Sequence, residues 1–311
     1  MEISLDLART LAVVIDEGTF DAAARRLRVT PSAVSQRVKA LERQLGRVLV
    51  VRAKPVRATD AGSAVVRLAR QLALLEHDTL AEFGLDAAPD RPITMPLAVN
   101  ADSLGTWLLP ALAPIAERHP VVFDLHRDDQ DFTADLLESG AVMAAVTSQA
   151  TPVAGCVSRP LGVMRYRPVA TPAFARRFGF PEAPLPASAP LPAFAPPAPL
   201  LAAYARATLV DFDRRDELQG RHLAALGLDP ALPPRHYVPA SNDFATAVKL
   251  GLGWGMLPAF QSDAELASGA LVPLGGDPVD VPLHWQQWNL GSPLLDAVAD
   301  AVVAEARAVL R

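Results

Sequence analysis

Apolar residues recur at helical spacing from the start of the chain: Leu7, Leu11, Val14 and Ile15 mark one face, and Gly18 stops that helix. Thr19 caps a second helix over Phe20–Leu27, where Ala22, Ala23 and Ala24 let a neighbour approach closely. After a tight break at Arg28 and Val29, Thr30 caps a third helix with Pro31 in its first position, where no N–H is needed. That helix turns Val34, Val38, Leu41 and Leu45 inward, presents Ser32, Ser35, Gln36 and Lys39 outward, and ends at Gly46. Residues 49–57 predict two short strands around a turn that carries Arg52, Lys54 and Arg57. Thr59 then caps a long helix to about Phe83, in which Ala61, Val65, Leu68, Leu72, Leu75 and Thr79 follow a 4-3-4-3-4 spacing. Such a stripe fits a dimer seam or the buried side of an ordinary amphipathic helix. Residues 86–92 form a hinge.

From Pro92 onward strands and helices alternate. Strands are predicted over 93–99, 121–126, 141–146, 165–170, 209–212, 235–238 and 254–257. Helices are predicted from Ser103 or Thr106 to Ala116, and over 133–138, 172–178 and 244–250. The alternation implies an α/β body with a largely parallel sheet, in two lobes. Ligands of such sheets sit beyond the carboxyl ends of strands. Candidate positions are Asn100, Asp102 and Ser103; Asp128 and Asp129; Thr147, Ser148 and Gln149; Asp211 and Asp213; and Ser241, Asn242 and Asp243. Helix starts suit a carboxylate and the aspartates suit a cation, so a basic amino acid would satisfy both. Taken singly, each of these residues also reads as an ordinary cap or turn.

Charge changes the picture of the first segment. The 311 residues carry a net −5, which on its own argues against nucleic acid. Yet residues 1–62 hold 11 Lys/Arg against 7 Asp/Glu, and the remainder holds 18 against 27. A basic head on an acidic body fits a nucleic-acid footprint, with a solvated basic surface as the alternative. Two short helices joined by a tight turn, the second basic and polar outside, describe a helix-turn-helix rather than a plain three-helix core. Gln36 can make two-point contacts to a base edge, Ser32 and Ser35 suit several bases, and Lys39 suits phosphate or guanine. Arg52, Lys54 and Arg57 would form a wing against phosphates.

Other chemistries find no support. There is no run of 18 apolar uncharged residues and no basic-then-apolar leader, so a soluble cytoplasmic protein without membrane contact is expected. Cys156, the single cysteine, excludes a disulfide framework and reads as an inert thiol. The six His are scattered, so no metal is expected. Gly251-Leu-Gly-Trp-Gly255 lacks the dinucleotide spacing, and neither a nucleophile elbow nor a Walker loop occurs, so no cofactor and no catalysis are expected.

The stretch from Gly18-Thr-Phe-Asp-Ala-Ala-Ala-Arg-Arg-Leu27 through Thr30-Pro-Ser-Ala-Val-Ser-Gln36, Leu41-Glu42, Leu45-Gly46, Arg52 and Thr59-Asp-Ala-Gly62 resembles the winged head of LysR-type transcriptional regulators. It departs at Leu49-Val50-Val51-Arg52, where that family more often has Leu-Phe and a polar residue before the arginine. The body is similar to the family's effector domain, of periplasmic-binding-protein type 2 fold, in Val248-Lys-Leu-Gly-Leu-Gly-Trp-Gly-Met-Leu-Pro258, although Met143 stands at a usually acidic position. Residues 97–114, Val210-Asp-Phe-Asp213 and Leu283-His-Trp285 resemble the ArgP/LysG branch, which senses lysine and arginine. Residues 181–199, eight of them Pro, depart from it and form an irregular excursion.

The resemblance implies an all-α winged helix-turn-helix over 1–59, a dimerising linker helix with hinge over 60–86, and an α/β two-lobed effector domain over 87–311. Lobe I spans about 92–163 and 269–311, and lobe II about 164–268. It assigns DNA contact to Thr30, Pro31, Ser32, Ser35, Gln36, Lys39, Arg52, Lys54 and Arg57. Effector contact falls to Asn100, Asp102, Ser103, Asp129, Thr147, Ser148, Gln149, Asp213, Asn242 and Asp243. Implied partners are double-stranded DNA, lysine or arginine, RNA polymerase, and further copies of the chain as a dimer or tetramer. The implied action is activation of a basic-amino-acid exporter gene. The alternatives are a LysR-type regulator with a different effector, or a solute-binding or metabolic α/β protein whose head mediates assembly.

Overall fold

A computed structural model describes residues 3–85, 92–127, 133–181 and 196–311. The predicted hinge at 86–91, the candidates Asp128 and Asp129, and 182–195 of the Pro-rich stretch lie outside the described residues.

The chain opens with α1 (Leu5–Glu17), α2 (Phe20–Leu27), α3 (Pro31–Leu45), β1 (Val50–Val51), β2 (Arg57–Ala58) and α4 (Asp60–Glu82). The hydroxyls of Thr19, Thr30 and Thr59 accept from the N–H groups of Ala22, Ala33 and Gly62, supplying acceptors that a first helical turn lacks. Arg28 closes α2 in the left-handed region at φ 56, a conformation that a side chain with a Cβ adopts at a cost. Leu11, Val14, Ala23, Val34, Val38 and Leu41 pack with Leu49 and Val56 of the wing and Val65 and Val66 of α4. The Val56 N–H donates to the Gly18 carbonyl and the Thr59 hydroxyl to the Val48 carbonyl, both at 2.8 Å. Gly62 lets α4 lie against the wing, because a Cβ there would overlap the Leu49 carbonyl oxygen. Glu42, the single acid between Ala22 and Arg57, accepts the Leu49 N–H at 2.9 Å. Its charge thus serves the joint between α3 and the wing.

The predicted stripe on α4 divides. Ala61 and Val65 join the head's core, Leu68 and Leu72 are partly buried, and Leu75, Leu80 and Phe83 are exposed. The first part of the stripe belongs to the chain's own packing, and the open part lies in the second half of the helix.

The body continues with β3 (Ile93–Val99), α5 (Ala101–Thr106), α6 (Leu108–Arg118), β4 (Val121–Arg127), α7 (Thr133–Glu138) and β5 (Ala144–Thr147). Next come β6 (Cys156–Ala170), α8 (Pro172–Phe178), α9 (Ala198–Arg206), β7 (Leu209–Asp211), α10 (Leu218–Ala225) and β8 (Arg235–Tyr237). The chain closes with α11 (Ser241–Lys249), β9 (Gly255–Pro258), α12 (Ala259–Ser268), β10 (Val272–Pro273), β11 (Val279–Trp288) and α13 (Pro293–Val309). Two compact units divide it. The first holds Met1–Asn100, Pro110–Arg159 and His284–Ala304; the second holds Ala101–Leu109, Pro160–Leu283 and Glu305–Arg311.

In the first unit β3 pairs in parallel with β4 and β5, and β5 pairs antiparallel with β11. In the second, β6 pairs antiparallel with β9 and β10, while β7 and β8 are parallel. Strand pairing is therefore mixed, not largely parallel as the alternation suggested. The cause is the chain path: β6 leads from the first unit into the second and β11 leads back, so these strands need no helical crossover. The one helix predicted to end at Ala116 is two, parted at Trp107. Pro110 has no N–H to offer the Thr106 carbonyl, so a new helix starts with Pro110 in its first turn.

The second unit buries Tyr204, His222 and Trp254 together, with the Tyr204 ring 5.3 Å from His222 and 4.9 Å from Trp254. Tyr204 donates to the Gly275 carbonyl at 2.8 Å, and His222 Nε2 lies 3.2 Å from the Tyr204 hydroxyl. Burial brings the His222 pKa down to about 4, outweighing the upward pull of Asp277. Below the ordinary histidine pKa of about 6.5, the unfolded chain therefore takes up a proton that the fold refuses. The stability contributed by neutral His222 is complete above that pH and is lost as pH falls toward about 4. Between these limits the unfolding free energy of the wild type should fall more steeply with decreasing pH than that of H222Q, by up to about 1.4 kcal/mol per pH unit. Parallel curves from scanning calorimetry would contradict this assignment.

Candidate functional site

The first candidate face is on α3. Thr30, Pro31, Ser32, Gln36 and Lys39 are exposed and Ser35 partly so. The Thr30 and Ser32 hydroxyls lie 3.1 Å apart, so the helix start is ordered by its own side chains. Farther along, Gln36, Lys39, Glu42, Arg43, Gly46, Arg47 and Val48 line an open groove of about 660 Å³. Arg43 and Arg47 were not among the sequence candidates, although they follow Lys39 at intervals of four and their spacing was visible. Arg52, Lys54 and Arg57 are exposed on the wing. The Arg52 guanidinium stacks 5.4 Å from the centre of the Phe20 ring, which holds it near the start of α2. Hydrogen-bonding side chains flanked by cations on two sides suit base edges in a groove with phosphates on either side.

The second candidate centres on Asp102, in the second unit. One carboxylate oxygen accepts the Tyr166 hydroxyl at 2.7 Å and the other accepts the Ser241 hydroxyl at 2.6 Å. The Gln261 amide donates to the Ser241 oxygen at 3.0 Å and to the Asn242 side-chain oxygen at 3.2 Å. Residues of α5, β6, α11 and α12 thus converge on one carboxylate. Burial raises the Asp102 pKa above its ordinary value; the two hydroxyls pull it down and Asp216 pushes it up. Tyr166 is raised well above its own ordinary value, by burial first and then by Asp102 and Asp216. Among the described residues no cation pairs with Asp102. Its charge is held by neutral donors, an arrangement that a cation would complete.

The remaining candidates in that unit lie elsewhere or have other tasks. Asp213 accepts the N–H groups of Arg215 at 2.7 Å and Asp216 at 3.1 Å, closing the turn after β7, and is not part of the Asp102 network. Asp211 is buried in a pair with Arg235. Asp243 is exposed in the first turn of α11. The Ser103 side chain is buried, and its hydroxyl has no hydrogen-bond partner among the described residues. Tyr166, Gln261 and Asp216 were missed, and no spacing announces them, since they come from separate segments.

In the first unit Asn100 is buried at the end of β3, its side-chain oxygen without a partner among the described residues. Thr147 is buried at the end of β5 opposite His284, and its hydroxyl accepts the Gln149 N–H at 3.2 Å. The loop that holds Ser148 and Gln149 is fixed by Gln286, which donates to the carbonyls of Gln149 at 2.8 Å and Thr151 at 3.0 Å. His284 and Gln286 were missed because β11 was not predicted. Among the described residues no group of three or more His, Cys, Asp or Glu could hold a metal ion, and no helix is long and apolar enough to cross a membrane.

A winged helix-turn-helix, a long connecting helix and a two-unit α/β body define a DNA-binding transcriptional regulator with an effector domain. Residues 5–63 match the family model described as bacterial regulatory helix-turn-helix protein, lysR family, and residues 95–307 match the LysR substrate binding domain. The chain belongs to the LysR family. It is 43% identical over 307 residues to the lysine export transcriptional regulatory protein LysG of Corynebacterium efficiens, covering 97% of each chain. Its fold matches the crystal structure of ArgP from Mycobacterium tuberculosis with a TM-score of 0.79 and 41% identity, over 100% of this chain and 99% of that one. Full-length LysG of Corynebacterium glutamicum with bound effector arginine matches with a TM-score of 0.72 and 37% identity, over 99% of both chains.

Proposed function

We propose that this LysR-type regulator takes L-arginine or L-lysine as effector, with Asp102 as the group that meets the ligand's cation, and activates a basic-amino-acid exporter gene. The observation that carries the reading is the Asp102 carboxylate, whose two oxygens are engaged, among the described residues, by the Tyr166 and Ser241 hydroxyls and by no cation. The arginine in the Corynebacterium glutamicum relative supports the ligand class. In this reading Gln36, Ser32 and Ser35 meet base edges, and Lys39, Arg52, Lys54 and Arg57 meet phosphates. The protein works in the cytoplasm with RNA polymerase as partner, as a homodimer or homotetramer whose copies meet along the exposed half of α4.

A gel-shift titration of the full-length protein on the region upstream of its own gene tests the reading. Affinity should fall about a thousandfold or more between 50 and 200 mM salt, as expected for six or more phosphate contacts. L-Arginine or L-lysine should alter the shift, and leucine or phenylalanine should not. No shift at low salt, or a response confined to neutral amino acids, defeats the proposal.

A further inference from the structure

The helix that joins head to body also grips the body. Arg67 of α4 donates to the carbonyl of Glu138, the last residue of α7, at 2.9 Å. Arg70, one turn on, donates through one guanidinium nitrogen to the carbonyls of Gly140 and Ala141, the latter at 2.6 Å. Its other terminal nitrogen pairs with Asp16, in the last turn of α1. All of these residues lie in the first compact unit.

The joint is built on both sides. Gly140 has φ +73, and a Cβ there would overlap that of Arg67 and lie 3.0 Å from its Cα, so the helix approaches this closely only because the turn has no side chain. The gripped carbonyls lie just beyond a helix C-terminus, where acceptors lack helical partners. A planar guanidinium can hold two of them with one nitrogen and a carboxylate with the other, in a rigid fork that a single ammonium nitrogen lacks. The Arg70 side chain is only 13% exposed, so these bonds are largely shielded from water.

Beyond the joint, each side leads to a candidate site. Gly140 and Ala141 precede β5, which is anchored by the Met143 N–H to the Pro96 carbonyl at 2.8 Å and ends at Thr147. Asp16 stands two residues before Gly18, whose carbonyl holds Val56 of the wing at 2.8 Å. A continuous set of bonded elements thus runs from Thr147 through β5, the 138–141 turn, Arg70 and α1 to the wing.

We infer that Arg70 is the coupling residue between the effector domain and the DNA-binding head, the group through which movement of the 138–141 turn reaches α1 and the wing. The inference rests on the proposed function, because effector binding is the event that Arg70 transmits. Arg70 is a positioning residue; it is assigned no contact with DNA or effector.

Hydrogen exchange on the full-length wild type, R70Q and G140A, each with and without saturating L-arginine, tests this. Without ligand, exchange should rise about tenfold at both 14–20 and 140–144 in each variant, in G140A through the Cβ that pushes the turn away from Arg67 and so off the Arg70 guanidinium. Unchanged exchange at 14–20 in G140A overturns the coupling, whatever arginine does. With arginine, the wild type should be protected around 102 and 241 and altered at 14–20. R70Q should show the same protection and no change at 14–20. An equal response at 14–20 in wild type and R70Q also overturns the coupling. Absence of protection around 102 and 241 in the wild type overturns the effector reading instead, and the ligand-free comparison alone then decides the role of Arg70.

Discussion

Replacing Asp102 with Asn is expected to weaken L-arginine binding by the full-length protein at least about 30-fold while leaving its melting temperature nearly unchanged. Removing one member of a desolvated charge pair costs roughly 2–5 kcal/mol, much of it from leaving the other charge unmet. The fold should survive because Asn keeps an oxygen for the Ser241 hydroxyl, and the Tyr166 hydroxyl can turn to accept from the new amide. A pH series adds a second signature. Burial holds the Asp102 pKa above the ordinary carboxylate value in the free protein, and a bound cation would lower it. Arginine affinity should therefore be full where Asp102 is ionised and fall as pH drops through that raised pKa, while D102N shows no such decline. Titration calorimetry reads both effects. Equal affinities of wild type and D102N at neutral pH would assign the cation to another group.

The second large effect lies on the DNA face. Replacing Lys39, Arg43 and Arg47 together with Ala should flatten the dependence of log affinity on log salt by about 0.9 for each phosphate that is no longer neutralised. That approaches three units per head, and binding at physiological salt should fall at least about a hundredfold. Gln36→Ala should act differently. The penalty for changing the base pair it meets, about 1–3 kcal/mol, should vanish while the salt slope is retained. Arg52→Ala should reduce the slope by about one unit and weaken all sequences alike. Gel shifts over single-base-pair variants at several salt concentrations separate these outcomes. Equal loss of discrimination in Q36A and R52A contradicts the division of roles.

Legibility varied along the chain for identifiable reasons. The head was readable because its determinants are local: a threonine cap acts three residues away, a stop sits at the last turn, and one face repeats every three or four positions. The Asp102 cluster was half readable. Asp102, Ser241 and Asn242 sit at element ends, where polar residues attract notice, but Tyr166 lies within a long strand and Gln261 within a helix. Strand β6 was read only over its last six residues, because Pro160 and Gly162 look like breakers within it. Helix α13 was not read, although Leu294, Leu295, Val298, Ala299, Val302 and Val303 repeat at helical spacing.

The split of a −5 chain into a basic head and an acidic body was a property of the sequence alone, as were the helix caps, the polar outer face of α3 and the family. These depend on residues close together along the chain, or on sums over a segment. Only the tertiary structure decided that Asp102 meets two hydroxyls and no cation among the described residues, and that strand pairing is mixed. It alone joined Arg70 to Asp16 and to Gly140, 54 and 70 positions away. Each of those contacts is made by chain closure over tens of residues, and closure selects partners by packing, which leaves no period to read.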